Sequence, residues 1–165
     1  MVDNQEFIDL VQSTLPKDAT ANEFKKYHLH IMDLNYEQKQ LIKNISNYDG
    51  YIDAQAKMGL SVSVFVDSTP YACFGIFPLW KGVYECWLIL DNKARTRYVP
   101  LGRSSRKIFS RLSSMMVLKR LQMYVISTNL LYKKYAEFCK FEKEGLLRAF
   151  GPEGSDYYIY SRLFK

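Results

Sequence analysis

The chain has 165 residues, 48% of them hydrophobic and 24% charged, and carries a formal net charge of +6. This length and composition predict one globular domain that folds without disulfide bonds, and the abundant aromatic residues exclude a disordered protein. Its three cysteines are scattered, odd in number and without the spacing of zinc ligands, so the sequence predicts neither a disulfide framework nor a metal site.

The first part of the chain predicts a helix, a linker and a strand. An amphipathic helix spans residues 4–14 and is ended by a proline, and residues 18–24 have the composition of a linker. The alternation of residues 27–31 predicts a strand with His28 and His30 together on its solvent-facing side. Because no third ligand of suitable spacing follows, this histidine pair is interpreted as a surface pair and not as a metal site.

The next elements alternate between helices and strands. Asn35 and Gln38 resemble a capping box, which predicts a helix to about Ile45, and a second helical segment from about residue 51 is closed by Gly59. The later predicted elements are strands at 60–66, 71–77 and 83–90, a helix at about 104–121, a strand at 123–126, a helix at about 129–140, and strands at 146–150 and 157–164.

This order predicts an α/β (α+β) fold with a mixed, mostly antiparallel seven-stranded sheet, about four flanking helices and an extra N-terminal helix. Strands joined by tight turns are antiparallel, whereas the strand–helix–strand unit over residues 83–126 requires a parallel pair. Ligands of such sheets collect at the carboxyl end of the central strand. Residues 1–165 are expected to form a single domain, with residues 1–20 as a helical extension and residues 24–165 as the core.

A basic segment follows that central strand. Residues 93–120 contain nine Lys and Arg and no Asp or Glu, and a break of small residues at 100–105 precedes the predicted helix. Free N–H groups at a helix start beside arginines are typical of an anion site, and a solvated basic helix face is the alternative. The residues expected to hold the anion are Gly102, Arg103, Ser104, Ser105 and Arg106.

The element order and this break resemble the GNAT family of N-acyltransferases over about residues 24–165. In that family the same helix start carries the motif Arg/Gln-x-x-Gly-x-Gly/Ala, whose backbone amides hold the pyrophosphate of acetyl-CoA. Residues 99–104 here read Val-Pro-Leu-Gly-Arg-Ser. Gly102 matches, Ser104 is a small substitute, and Val99 departs from the Arg/Gln position.

The following helix carries a second likeness. GNAT chains often read Asn-x-x-Ala-x-x-x-Tyr there and close with Gly-Phe, and Asn129 and Phe141 match this pattern. The resemblance implies that Asn129 contributes to cofactor binding. The Tyr that protonates the departing CoA thiolate in many members is replaced by Ala136, so Tyr132 and Tyr135 are the candidates for that role.

The resemblance implies the rest of an acyl-transfer site, with acetyl-CoA as ligand and no metal. An amine must lose a proton before attack, and Glu85 is the candidate general base because family bases often lie on this strand. A surface carboxylate paired with a nearby Lys or Arg is the alternative for Glu85. A bulge at the end of the strand would offer backbone groups of Leu90 and Asp91 to the pantetheine amides.

A further likeness covers most of residues 70–164. The segment from Phe77 to Trp87, the basic helix and the Tyr-rich last strand resemble the small GNAT-like internal virion protein of short-tailed (podovirus) bacteriophages. This resemblance implies a phage protein made in the host cytoplasm, either remaining there or packaged in the virion, with other virion proteins or host proteins as partners.

Three functions are therefore open. The first is an acyl-CoA-dependent N-acyltransferase, whose turnover is in doubt because of Val99 and Ala136. The second is a non-catalytic virion or morphogenesis protein that keeps the fold. The third is a nucleic-acid-binding module, which is disfavoured because the basic residues are dispersed and no binding motif is present. The sequence predicts no membrane span and no signal peptide.

Overall fold

A seven-stranded sheet forms the centre of the computed structural model, which describes residues 2–165. The sheet order is β1-β2-β3-β4-β5-β7-β6, and all neighbours are antiparallel except β4 and β5. The strands are β1 (Ala19–Glu23), β2 (Leu60–Val66), β3 (Thr69–Trp80), β4 (Val83–Leu90), β5 (Arg120–Ile126), β6 (Glu142–Leu147) and β7 (Tyr157–Leu163). The predicted fold class and the mostly antiparallel seven-stranded sheet are confirmed.

Helices cover both faces of this sheet. They are α1 (Asn4–Gln12), α2 (Tyr36–Asn44), α3 (Tyr48–Met58), α4 (Tyr98–Met115) and α5 (Leu130–Phe138). The apolar sides of α1, α4 and α5 pack in the larger core on one face, and α2 and α3 pack in the smaller core on the other. No helix among residues 2–165 is both long and apolar enough to span a bilayer.

Local sequence explains the sharp connections around β2. Asp67 and Ser68 both have positive φ, which is the backbone that a tight hairpin between β2 and β3 requires. At the other end, Gly59 joins α3 directly to β2. A Cβ at Gly59 would lie 1.8 Å from the carbonyl oxygen of Ile76, so only glycine fits at this approach of helix to sheet.

The predicted strand at residues 27–31 is wrong. Residues Lys26–His30 form a 3-10 helix, and the first strand is β1, which lies in the segment predicted as a linker. The reason is His28, whose ring is buried with Nδ1 2.8 Å from Ser63 Oγ on β2. His30 is exposed and pairs with Asp49 at 3.1 Å, so the two histidines do not form the expected surface pair.

The basic helix starts earlier than predicted. α4 begins at Tyr98, directly after a 3-10 helix over Asn92–Arg97, instead of at Ser104. Pro100 lies in the first turn, where its missing N–H has no intrahelical acceptor to lose. Residues 100–105 are therefore not a break before the helix but its first two turns.

Candidate functional site

β4 and β5 separate from each other within the sheet. Their parallel ladder joins Val83–Glu85 to Arg120–Gln122 and ends there, although both strands continue. β4 remains paired with β3 as far as Leu90, and β5 remains paired with β7 as far as Ile126. The sheet therefore opens as a wedge between two parallel strands, at the carboxyl end of the central strand where a ligand site was expected.

The wedge exposes one edge of β4. Hydrogen bonding alternates along an antiparallel pair, and the N–H of Asp91 donates to Tyr71 O on the β3 side. The backbone groups of Leu88 and Leu90, which have the opposite phase, therefore point toward the wedge. Since the ladder with β5 has ended before Leu88, these groups have no strand partner there.

A cavity of about 520 Å³ opens from the wedge toward α2 and α3. Ten of the side chains around it are aromatic, and Glu85 is the one charged side chain among its described lining residues. Its aromatic lining consists of Tyr48, Tyr51, Phe74, Trp87, Phe109, Tyr124, Tyr132, Tyr135, Phe150 and Tyr157. The size and the mainly apolar wall are those of a small-molecule site.

Glu85 lies where the two strands begin to diverge, opposite Gln122 in the parallel register. Burial raises the pKa of the Glu85 carboxyl above its usual value, and the Gln122 side chain acts in the opposite direction. Within residues 2–165 no Lys or Arg forms an ion pair with Glu85, which removes the surface-pair alternative. A carboxylate with a raised pKa beside a cavity is suited to accept a proton.

Two tyrosines flank this carboxylate. Tyr51 and Tyr124 line the cavity together with Glu85, and their pKa values are raised first by burial and next by the Glu85 charge. Sequence reasoning missed these residues because Tyr51 lies on α3, Tyr124 on β5 and Phe150 after β6. Only the tertiary fold brings together rings so far apart in the chain.

A second opening, at the carboxyl end of β4, is nearly filled. A passage of about 10 Å³ lies between Leu90, Arg95, Tyr98 and Tyr132. The Gln38 amide, in the orientation that satisfies both groups, donates to Leu90 O at 3.0 Å and accepts from Leu90 N at 2.9 Å. The backbone groups expected to bind pantetheine therefore already have a partner.

The segment before α2 adds further closing contacts. Asn35 caps α2, as predicted, and its side-chain amide also donates to the Tyr132 hydroxyl at 2.6 Å. The Asp91 carboxylate accepts from Asp33 N and Lys93 N, both at 2.8 Å. β4 keeps an unshifted register with β3 from Cys86 to Leu90, so the bulge expected there is wrong; the chain instead turns at Asp91, which this carboxylate caps. We call residues 33–38 the latch.

The five residues predicted to hold an anion lie in α4 and border neither opening. Ser104 Oγ donates to Thr14 O at 2.8 Å, and Ser105 Oγ donates to Leu101 O at 2.9 Å. A Cβ at Gly102 would lie 3.0 Å from the Phe138 ring, so this glycine allows α4 to pack on α5. Arg103 and Arg106 are exposed, with the Arg106 guanidinium 5.7 Å from the Phe138 ring centroid.

The predicted residues of α5 are divided between the two openings. Tyr132 lines both, whereas Tyr135 lines only the cavity and donates to Ser105 Oγ at 2.8 Å. Burial raises the pKa of both hydroxyls, so both remain protonated at neutral pH. Ala136 is fully buried, and Asn129 accepts from Tyr132 N at 3.0 Å as the cap of α5. No cluster of metal-ligating side chains occurs in the part of the chain that the structure describes.

Comparison with solved structures identifies this architecture. The acetyltransferase (GNAT family) from Bacillus anthracis superposes with a TM-score of 0.65 at 12% identity, covering 89% of this chain and 95% of that one. The chain has the GNAT fold. Microcin C7 self-immunity acetyltransferase MccE, solved in complex with acetyl-CoA and AMP, gives a TM-score of 0.66 at 17% identity over 90% and 94% of the two chains.

A third structure with the GNAT fold is the ribosomal-protein-S5-alanine acetyltransferase from Vibrio fischeri, with a TM-score of 0.67 at 11% identity, covering 90% of this chain and 94% of that one. No protein-family model matches the sequence, and comparison with curated protein sequences gives no match. At identities this low the structural likeness shows the fold alone.

Proposed function

We propose that this GNAT-fold protein is an acyl-CoA-dependent N-acyltransferase for a small amine. The observation that carries the proposal is the position of Glu85, at the base of the wedge and on the wall of the cavity. A half-buried carboxylate with a raised pKa at that point is placed to take a proton from an ammonium group bound in the cavity. Acetyl-CoA, which MccE is shown to bind, would supply the acyl thioester.

The residues of this chain divide the remaining proton chemistry. Glu85 accepts the proton that leaves the amine, directly or through a water molecule. Tyr132 and Tyr135 on the opposite side of the wedge hold their hydroxyl protons and are the candidates to protonate a leaving thiolate. Tyr132 is the better placed, since it borders both openings.

Acyl-CoA fits only in part while the latch contacts β4. The free edge at Leu88 fits an amide of an extended ligand, whereas the groups of Leu90 are occupied by Gln38. A passage of about 10 Å³ has room for about one water molecule and not for a pantetheine chain. The proposal therefore requires the latch to leave β4 before acyl-CoA binds.

Calorimetry with acetyl-CoA tests the proposal, followed by thiol release with a panel of primary amines. We expect saturable binding at micromolar to high micromolar concentration and thiol release with at least one amine. Gln38→Ala is measured beside the native protein, and Gln40→Ala is the matched control on the same helix. Absence of heat from both the native protein and Gln38→Ala would overturn the proposal.

The latch also favours a second candidate, a non-catalytic protein that keeps the fold. Hydrogen bonds from Asn35 and Gln38 fill the place where pantetheine would lie, as in a site that has lost its ligand. The phage resemblance belongs to this candidate, and it implies a protein of the host cytoplasm or the virion. Binding of acetyl-CoA without thiol release across the amine panel, together with recovery of the chain in purified particles, would support it.

The basic segment gives less support to nucleic-acid binding. Arg97 pairs with Asp18, Arg120 pairs with Glu144, and Arg106 lies over Phe138. These contacts engage several of the charges that a phosphate-binding surface would need. Retention on heparin with a steep dependence of duplex affinity on salt would be required to revive this function.

A further inference from the structure

We propose that the cavity binds an amine with a single positive charge and an aromatic ring, such as an arylalkylamine. Its ammonium group lies at Glu85, and its ring lies against Tyr124 and Phe150. The inference rests on the proposed function for the amine's role as acyl acceptor. Binding of the amine itself needs no acyl-CoA and is tested separately.

The charge of the ligand follows from the lining. Glu85 is the one charged side chain among the described residues around the cavity, and no Lys or Arg lines it. A second ammonium group on the same ligand would enter a mainly aromatic space without a counter-charge, which is unfavourable. A carboxylate on the ligand would be repelled by Glu85. One positive charge is therefore the best match.

The side chains beside Glu85 add to the attraction for a cation. Tyr51 and Tyr124 lie close enough that its charge raises the pKa of both phenols. Both rings line the cavity together with Glu85, so an ammonium group held at the carboxylate would lie among aromatic rings that attract a cation. A neutral ligand of the same shape would gain neither the ion pair nor this cation–π contact.

The aromatic ring of the ligand follows from the three rings at the rim. The centroids of Tyr124 and Phe150 are 4.9 Å apart with planes tilted by 38°, and those of Phe150 and Tyr157 are 5.7 Å apart at 66°. Phe150 is nevertheless 53% exposed and Tyr51 is 45% exposed, although both line the cavity. A flat ring bound against Phe150 would reduce its exposure and add to the aromatic packing already present.

Titration of four probes tests the inference without acetyl-CoA. The probes are 2-phenylethylamine, 2-phenylethanol without the charge, 2-cyclohexylethylamine without the aromatic ring, and spermidine with several charges. We expect 2-phenylethylamine to bind at least about fivefold more tightly than each of the other three, since each lacks one matched feature or adds an unmatched charge.

Two variants and one control test which residue contacts the ammonium group of the ligand and which contacts its ring. Glu85→Gln should abolish the preference for the amine over the alcohol, and Phe150→Leu should reduce the preference for the phenyl over the cyclohexyl amine. Tyr36→Leu, which removes an exposed ring that does not line the cavity, should change neither preference.

Equal binding of the cyclohexyl amine, or tighter binding of spermidine, would overturn the inference, as would absence of binding by all four probes. These outcomes differ from failure of the proposed function. Thiol release only with amines that lack a ring would support the transferase and exclude the aromatic ligand. Ring-selective binding without any thiol release would support the aromatic ligand and contradict the transferase.

Discussion

The two openings beside β4 differ in volume and in the chemistry of the side chains that line them. The cavity on the α2–α3 side has about 520 Å³ and is lined by aromatic rings around one carboxylate. The passage at the end of β4 has about 10 Å³, and two of its lining side chains, Asn35 and Tyr132, hydrogen-bond to each other. Residues of both β4 and β5 line the cavity, whereas the passage lies beyond the end of β4 and no residue of β5 lines it.

This difference shows that the backbone provides free strand edges, whereas the side chains determine whether a ligand can bind to them. The early end of the parallel ladder creates free strand edges in any chain that folds this way. Whether a ligand can use them depends on which side chains already satisfy those edges. Here Gln38 of α2 satisfies the edge of β4 at Leu90, whereas Glu85 faces the cavity without an ion-pair partner among the described residues.

Loss of the carboxylate in the cavity should have the largest effect on turnover. If the cavity is the acceptor side, Glu85→Gln removes the proton acceptor and should lower kcat by at least about 100-fold. Acetyl-CoA affinity should change less than about twofold, because Glu85 does not line the passage at the end of β4. Steady-state thiol release and calorimetry on the same preparation measure the two effects.

A Glu85→Gln variant with native kcat would show that the base lies elsewhere. Loss of acetyl-CoA affinity in the same variant would show that the two openings are not separable, which contradicts the comparison.

Opening the latch should have the next largest effect. Gln38→Ala removes a side chain that competes for the backbone of Leu90, so acetyl-CoA affinity should rise by up to about tenfold, the worth of one such hydrogen bond. The fold should lose about 1 kcal/mol for the same reason. Calorimetry and thermal unfolding measure the two changes.

Gln40→Ala, at a half-buried position of α2 that lines neither opening, should alter neither quantity. An unchanged acetyl-CoA affinity in Gln38→Ala would show that Gln38 does not limit access and that other contacts, such as that of Asn35 with Tyr132, close the passage.

The sequence predicts the wedge better than it predicts the latch. β2 and β4 are recognised within their observed bounds because residues 60–66 and 83–90 are short β-branched or apolar runs between turns. The parallel step after β4 follows from the helix between two strands. Glu85 on β4 is a candidate because the resemblance to the GNAT family implies a general base on this strand.

The latch was not predicted because its contacts join residues far apart in the chain. Asn35 was recognised as a helix cap, which is a local role, whereas its contact with Tyr132 spans 97 residues. The error at residues 27–31 has the same origin, since the burial of His28 against Ser63 outweighs a local alternation. Patterns of neighbouring residues report local structure and not such distant partners.

Reversing the charge of a basic residue should weaken acetyl-CoA binding more when that residue lies closer to the passage. Arg95 lines it, whereas Arg103 and Arg106 lie further along α4, so Arg95→Glu should weaken acetyl-CoA binding by about fivefold and the other two changes by less. Lys81→Glu at the opposite end of β4 makes the same change in net charge and should have no effect. A larger loss from Arg103→Glu or Arg106→Glu would support the anion site predicted within residues 102–106.

The smallest expected effect concerns stability and tests whether Glu85 is held for function. Burial raises its folded-state pKa above the unfolded value, so its contribution to stability is present below the unfolded pKa and is lost as pH rises through the folded one. Glu85→Gln, which stays neutral, should match the native Tm near pH 4 and exceed it slightly at pH 7. A lower Tm for the variant at pH 7 would mean that a partner stabilises the carboxylate. In that case Glu85 would stabilise the fold through that partner and would not be the free general base that distinguishes the cavity from the passage.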